Sequence, residues 1–185
     1  MISKKKLIPI GFLVVVILSV VASTWFLNGA KAATRPRYLV IVHGLGDTIY
    51  SKDMQSVRSW FQKQGYYDDI YLPEYYTSVA PGESMDPSTT EGLKNCKAEL
   101  YTSIKDYGRI LASKLETHFK NLPDGDIDIV AHSMGGLVVR AMMKYYISID
   151  KYGNARLEYT ARKKIGSTYI DYVYYKHRID DIVLI

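Results

Sequence analysis

In the segment Ala131-His132-Ser133-Met134-Gly135, a small residue lies two positions before the serine and another two positions after it. A serine hydroxyl is a weak nucleophile, and it needs a neighbouring base and an exposed position before it can attack a carbonyl. A tight turn from a strand into a helix gives that exposure, but the strand and helix then pass so closely that the residues two before and two after the serine must be small. Ala131 and Gly135 meet this requirement. The segment therefore predicts that Ser133 is a nucleophile at the start of a helix.

A second glycine-containing segment, His43-Gly44-Leu45-Gly46, directly follows an apolar run far upstream of the serine. Acyl transfer passes through a tetrahedral oxyanion, which needs two N–H donors at about 2.7–3.1 Å. Glycines allow the backbone to come close to a substrate. The segment therefore suits one side of an oxyanion-binding loop, and the alternative is an ordinary tight turn.

Together these two segments resemble the α/β-hydrolase fold, and most closely its bacterial lipase and esterase branch, whose small secreted members share the alanine at the start of the serine turn. The resemblance covers about residues 38–147 and the last strand. It implies that Ser133 is the nucleophile and that the N–H groups of Leu45 and Met134 form the oxyanion hole. It implies no metal and no organic cofactor. The supporting motif residues are His43, Gly44, Gly46, Ala131 and Gly135.

The family places an acid and then a histidine after the nucleophile, on loops that follow later strands. His177 is the sole histidine after Ser133, and the acids in that part are Asp150, Glu158, Asp171, Asp180 and Asp181. His177 precedes a predicted strand, so it belongs to the opposite sheet edge from Ser133, roughly 20 Å away across a strand of about seven residues. We expect that His177 is not the base, that His132 packs or orients its loop, and that the chain is the N-terminal part of a longer hydrolase.

The pattern of apolar residues predicts the elements that position these motifs. Strands are expected at Tyr38–Val42, Asp69–Leu72, Asp126–Ala131 and Ile179–Ile185, and helices at about Met54–Gln64, Lys97–Asn121 and Gly135–Ile147. Glu74–Asn95 is expected to be a long loop. This alternation predicts an α/β fold with a mostly parallel sheet and helices on both faces, incomplete at its carboxyl terminus.

The amino-terminal segment, residues 1–32, combines a basic start, an apolar run at Leu7–Leu27 and the small-residue site Ala30-Lys31-Ala32. These features are typical of a secretory signal peptide, and the run is also long enough to be a membrane anchor. A buried helix of the fold is the third alternative. Either of the first two places residues 33–185, the hydrolase domain, outside the cytoplasm.

The formal charge of +5 is concentrated at the two ends of the chain, because residues 33–150 hold 13 basic and 15 acidic side chains. A nucleic-acid partner is therefore not expected. The single cysteine, Cys96, excludes an internal disulfide framework. The basic, tyrosine-rich stretch at about 150–178 predicts an inserted hairpin or extended strand pair. It either contacts an anionic membrane or cell-wall surface, or it is a solvated insertion with packed tyrosines.

These inferences predict an exported serine hydrolase that acts on carboxylic esters, including lipids, through an acyl-enzyme at Ser133. A thioesterase or acyltransferase on the same scaffold would use the same residues. A non-catalytic surface-binding protein that retains the fold is the alternative from another class. The sequence does not predict an oligomeric state.

Overall fold

The structure is a computed structural model that describes residues 35–77, 85, 88–99 and 102–185. The predicted signal peptide or anchor at residues 1–32 lies outside this part of the chain. Within the described ranges, no helix has both the length and the apolar character needed to cross a bilayer.

One sheet of six strands organises residues 35–185. Its strands are β1 Arg37–Val42, β2 Asp69–Tyr71, β3 Asp126–Ala131, β4 Ser148–Ile149, β5 Ala155–Ile165 and β6 Thr168–Leu184. They lie in the order β2-β1-β3-β6-β5-β4. The first four strands in this order are parallel, β5 pairs antiparallel with β6, and β4 pairs antiparallel with β5. The predicted mostly parallel sheet is confirmed.

Helices cover both faces of this sheet, as predicted. They are α1 Lys52–Gln64, α2 Thr90–Glu99, α3 Ile104–Phe119 and α4 Met134–Tyr145. On one face, alternate side chains of β1 and β3 pack against Leu111 and Leu115 of α3 and Met142 of α4. On the other face, Met54 and Phe61 of α1 pack against β1 and β2. Strand β1 is therefore buried on both sides, as its unbroken apolar run indicated.

The predicted helix Lys97–Asn121 is wrong in its first part, because two helices, α2 and α3, occupy the region. The hydroxyl of Ser103 accepts the backbone N–H of Asp106 and begins α3 as a new helix. An N-cap of this kind stabilises the start of a new helix, so the chain does not form one continuous helix through Ser103. The predicted loop Glu74–Asn95 is also too long, since α2 begins at Thr90.

The last strand is longer than the predicted Ile179–Ile185. It begins at Thr168 and forms a hairpin with β5, in keeping with the hairpin expected for the tyrosine-rich stretch. Gly166, with a φ of 62°, lies in the turn of this hairpin. From Arg178 onward β6 also pairs with β3, starting opposite Asp126. The upstream part of β6 pairs with β5 alone.

Candidate active site

Ser133 lies in a sharp turn between the end of β3 and the start of α4. Its backbone φ is 52° and its ψ is −123°, and its side chain is exposed. A positive φ is unusual for a residue with a Cβ and stores strain of order 1–3 kcal/mol, so it persists only where the surroundings impose it. The hydroxyl does not cap α4. Helix capping therefore does not explain why a serine occupies this position.

Backbone hydrogen bonds hold the turn between the ends of the neighbouring strands. The N–H of His132 donates to the carbonyl of Val42 at 3.0 Å, and the N–H of Ser133 donates to the carbonyl of Ile185 at 2.8 Å. The carboxyl ends of β1 and β6 thus hold the turn from both sides. This arrangement provides the surroundings that maintain the strained conformation.

Two glycines allow the serine turn and the loop after β1 to touch. A Cβ on Gly135 would lie 2.4 Å from the carbonyl oxygen of His43. A Cβ on Gly44 would lie 3.0 Å from the Cβ of Ser133 and 2.9 Å from Nδ1 of His132. A Cβ on Gly135 would overlap backbone atoms, so that position requires glycine, whereas a Cβ on Gly44 would force the side chains of His132 and Ser133 to move. The two motifs that are far apart in sequence are therefore in direct contact.

The two N–H groups expected to bind an oxyanion lie on either side of this contact. Met134 is the first residue of α4, where N–H groups have no partner within the helix and the helix dipole is positive. Leu45 follows Gly44, and its side chain is 65% exposed. Within the described part of the chain, neither N–H donates a hydrogen bond. Both remain available to a ligand.

Buried aromatic side chains hold the loop after β1 from beneath. The hydroxyl of Tyr76 donates to the carbonyl of Gly44 at 3.1 Å, and that of Tyr75 donates to the carbonyl of His43 at 2.8 Å. Burial raises the pKa of both tyrosines, so their hydroxyls stay protonated as donors. The Gly44 carbonyl and the Leu45 N–H belong to one planar trans peptide and point in opposite directions. Tyr76 therefore turns the Leu45 N–H away from the core.

His43 is part of the same support. Its ring is 1% exposed and stacks on Tyr75 with 4.3 Å between centroids. Its Nε2 lies 3.0 Å from Oε1 of Glu74. Glu74, Tyr75 and Tyr76 fall in the predicted loop and were not among the predicted site residues. The available signal was their position directly after β2, because the carboxyl ends of parallel neighbours meet at one sheet edge.

None of the four histidines of the chain hydrogen-bonds to Ser133, and all four are among the described residues. His132 is exposed over Gly44, with Nδ1 3.9 Å from Oδ2 of Asp47. His118 stacks on a tyrosine of β2. His177 lies beside Arg178, which pairs with the first residue of β3, so it occupies the opposite sheet edge from Ser133, as predicted.

His177 is fully buried and satisfied there. Its Nε2 donates to the carbonyl of Pro123 at 2.8 Å, so Nδ1 is the acceptor for the hydroxyl of Tyr159 at 3.0 Å. Burial lowers the pKa of the ring, which favours this neutral form. The side chain therefore has a structural role.

Among the described residues, one group of carboxylates is close enough to share a cation. Asp128, Asp180 and Asp181 have oxygen atoms within 4.8 Å of one another. Arg37 donates to Asp128 at 2.7 Å, and Arg178 lies 3.1 Å from Asp180. Burial raises the pKa of Asp128 to about 6, against the attraction of Arg37. The group lies between β3 and β6, upstream of the edge that carries Ser133.

The family model for palmitoyl protein thioesterases matches residues 38–152, which run from β1 past the end of α4. No curated protein and no solved structure matches the chain. The matched family is of the α/β-hydrolase type, so the predicted hydrolase superfamily is confirmed, though not the narrower branch of secreted bacterial lipases. The strained serine turn and the loop after β1 both lie within the matched residues. The chain belongs to the palmitoyl protein thioesterase family of hydrolases.

Proposed function

We propose that the chain is a serine acyl hydrolase that cleaves carboxylic esters through an acyl-enzyme at Ser133. The observation that carries the proposal is the contact between Gly44 and the strained Ser133 turn. We infer that this contact sets the exposed Ser133 hydroxyl near the N–H groups of Leu45 and Met134, neither of which has a hydrogen-bond partner among the described residues. Membership of a hydrolase family supports the same chemistry.

In the proposed reaction, Oγ of Ser133 forms a bond to the substrate carbonyl carbon, and the carbonyl oxygen becomes the oxyanion. The N–H groups of Leu45 and Met134 bind this oxyanion, and the preset peptide orientation imposed by Tyr76 avoids reorganisation during the step. The bond to the leaving group then breaks, and the serine proton ends on that group. Water attacks the acyl-enzyme, releases the acid and restores the serine.

The step without an assigned residue in the described part of the chain is removal of the serine proton, because no histidine ring hydrogen-bonds to Ser133. A positioned base usually contributes about 10²–10⁴-fold to such a reaction. We therefore expect slow acylation by the chain and a large acceleration by added imidazole, which can act as a soluble base. This rescue requires only that the hydroxyl be accessible, and Ser133 is exposed.

A thioester substrate is the second candidate, and two observations favour it. The matched family is named for cleavage of palmitoyl thioesters on proteins. A thiol also has a pKa of about 8.5, so a thiolate leaves without the acid that an alkoxide needs. Cleavage of a thioester therefore depends less on a group that protonates the leaving atom. Exposed apolar side chains next to the turn, Leu45 and Leu137, suit an acyl chain.

The test compares hydrolysis of p-nitrophenyl butyrate by the chain and by its Ser133→Ala variant, with and without imidazole. Ser59→Ala, which changes an exposed serine on α1, is the matched control. We expect imidazole to accelerate the wild-type chain and the control at least tenfold over the Ser133→Ala variant. Equal rates for all three proteins would refute the proposal.

The substrate class is tested with ethyl butyrate and S-ethyl thiobutyrate, which differ only at the leaving atom. Faster Ser133-dependent cleavage of the thioester would favour the second candidate. Comparable kcat/KM values would favour the oxygen ester as a true substrate, since its alkoxide is the harder group to expel.

A further inference from the structure

The hairpin of β5 and β6 extends beyond the rest of the sheet. Pairing between the two strands continues from Leu157 opposite Lys176 to Ile165 opposite Thr168, whereas β3 begins its pairing only at Arg178. Leu157 and Tyr159 are buried in the core, so the free arm begins at Thr160 and is roughly 15–20 Å long at about 3.3 Å per residue. A two-stranded ribbon is marginally stable in water by itself, so this arm is suited to a partner surface.

Both faces of the arm expose apolar side chains, and on one face they form an apolar stripe that begins in the core. Residues directly opposite each other in an antiparallel pair share a face. The buried Tyr159 stacks on Tyr174 with 5.4 Å between centroids. Farther out on the same face, the exposed fractions are 46% for Tyr172, 47% for Ile170 and 55% for Ile165. The stripe thus runs from the packed interior into solvent.

The charge of the arm is strongly positive. Residues 160–176 contain four basic side chains and one acid, Asp171. Asp171 is neutralised on the opposite face by Arg162, whose Nε lies 2.7 Å away. Lys163 lies opposite Ile170 within the apolar stripe, and Lys164 packs over the ring of Tyr169 at the tip, on the other face. Two lysines near the tip therefore carry charge that no carboxylate on the arm offsets.

We propose that this arm docks its apolar stripe on the surface of a bilayer that contains anionic phospholipids. Tyrosine rings suit the headgroup region, isoleucines suit the acyl boundary, and lysines extend toward phosphate. Each basic residue near an anionic surface strengthens binding about fivefold. A second copy of the chain is a poorer occupant, because two basic tips repel each other and charged edge strands resist pairing.

The test uses the full chain with an environment-sensitive fluorophore on Ser167→Cys at the tip, in a Cys96→Ser background. A label on Ser59→Cys of α1 is the control position, since Ser59 is exposed and α1 packs against the body of the sheet. Vesicles contain either phosphatidylcholine alone or phosphatidylcholine with about 30% phosphatidylglycerol. The amino-terminal apolar segment is present in every protein, so it does not distinguish them.

We expect a blue shift of the tip label on anionic vesicles, a weaker one on neutral vesicles and none at Ser59. The variant Arg162→Gln/Lys163→Gln/Lys164→Gln should lose most of the blue shift of the tip label on anionic vesicles. Lys105→Gln/Lys144→Gln/Lys151→Gln removes the same charge from exposed positions elsewhere and should retain that shift.

Three results would overturn the proposal. They are no shift at the tip, an equal shift on neutral vesicles, and a shift that appears with protein concentration in the absence of lipid. The arm lies at the sheet edge opposite Ser133, so the charge variant should keep wild-type reaction at Ser133. Failure of membrane docking is therefore distinguishable from failure of the proposed hydrolase activity.

Discussion

Ser133 and His177 are the two non-glycine residues with a positive φ in the described part of the chain, at 52° and 44°. They lie at opposite edges of the same sheet. The Ser133 side chain is exposed and makes no cap hydrogen bond. The His177 side chain is buried, both ring nitrogens are hydrogen-bonded, and its backbone N–H donates to Asp124 at 2.7 Å.

The difference teaches that backbone strain alone does not identify a catalytic residue. At His177 the strain is compensated by the side chain itself, which fills and satisfies a buried position where β6 joins the sheet. At Ser133 the strain is imposed from outside, by the strand ends and by the glycines of the neighbouring loop. Strain that supports an exposed hydroxyl is the kind expected of a nucleophile.

The largest expected effect comes from His177→Ala. Loss of the ring would leave the hydroxyl of Tyr159 and the carbonyl of Pro123 without their partners in the core. We expect a loss of about 3 kcal/mol in the free energy of unfolding, measured by urea denaturation. His118→Ala, at a half-buried histidine, should cost less. Equal losses would contradict the structural role of His177.

Gly135→Ala should be the next most damaging change. The new Cβ would meet the backbone carbonyls of His43 and Val42 and separate the serine turn from the loop after β1. We expect about 2 kcal/mol of destabilisation and loss of reaction at Ser133. Gly136→Ala is the matched control, because its Cβ would meet only the side chain of Leu184, at 3.6 Å. If both variants behaved alike, the proposed close contact would be wrong.

Tyr76→Phe tests the orientation of the Leu45 peptide with a smaller change. Removal of the hydroxyl deletes its hydrogen bond to Gly44, which should cost about 1 kcal/mol in stability. The rate of acylation at Ser133 should fall about tenfold, which is less than the loss of an oxyanion donor. A change in KM without a change in kcat would argue against a positioning role. Tyr50→Phe, at an exposed tyrosine, should leave both parameters unchanged.

A change in stability of opposite sign is expected from Ser133→Gly. Glycine adopts a positive φ without penalty, so the variant should gain about 1 kcal/mol in stability while it loses all reaction at this position. Ser103→Gly, at the N-cap of α3, should lose a few tenths of a kcal/mol. Thermal denaturation measures both changes. Destabilisation by Ser133→Gly would show that the serine side chain has a structural role.

The sequence predicted the features that depend on neighbouring residues. The Ser133 turn, its small neighbours and the strand β1 follow from local spacing and apolar runs. The break between α2 and α3 was missed because the cap at Ser103 outweighs an apolar pattern that continues across it. Glu74, Tyr75 and Tyr76 were missed because their role arises only when β1 and β2 lie side by side.

The central claim is tested most directly by a fluorophosphonate probe and mass spectrometry. Oγ of Ser133 would form a bond to phosphorus as fluoride leaves, so the adduct identifies the nucleophile without a choice of substrate. We predict one adduct on the peptide that contains Ser133, faster formation with imidazole, and no adduct in Ser133→Ala. Absence of an adduct in the presence of imidazole, or an adduct on another residue, would contradict the assignment of Ser133 as the nucleophile.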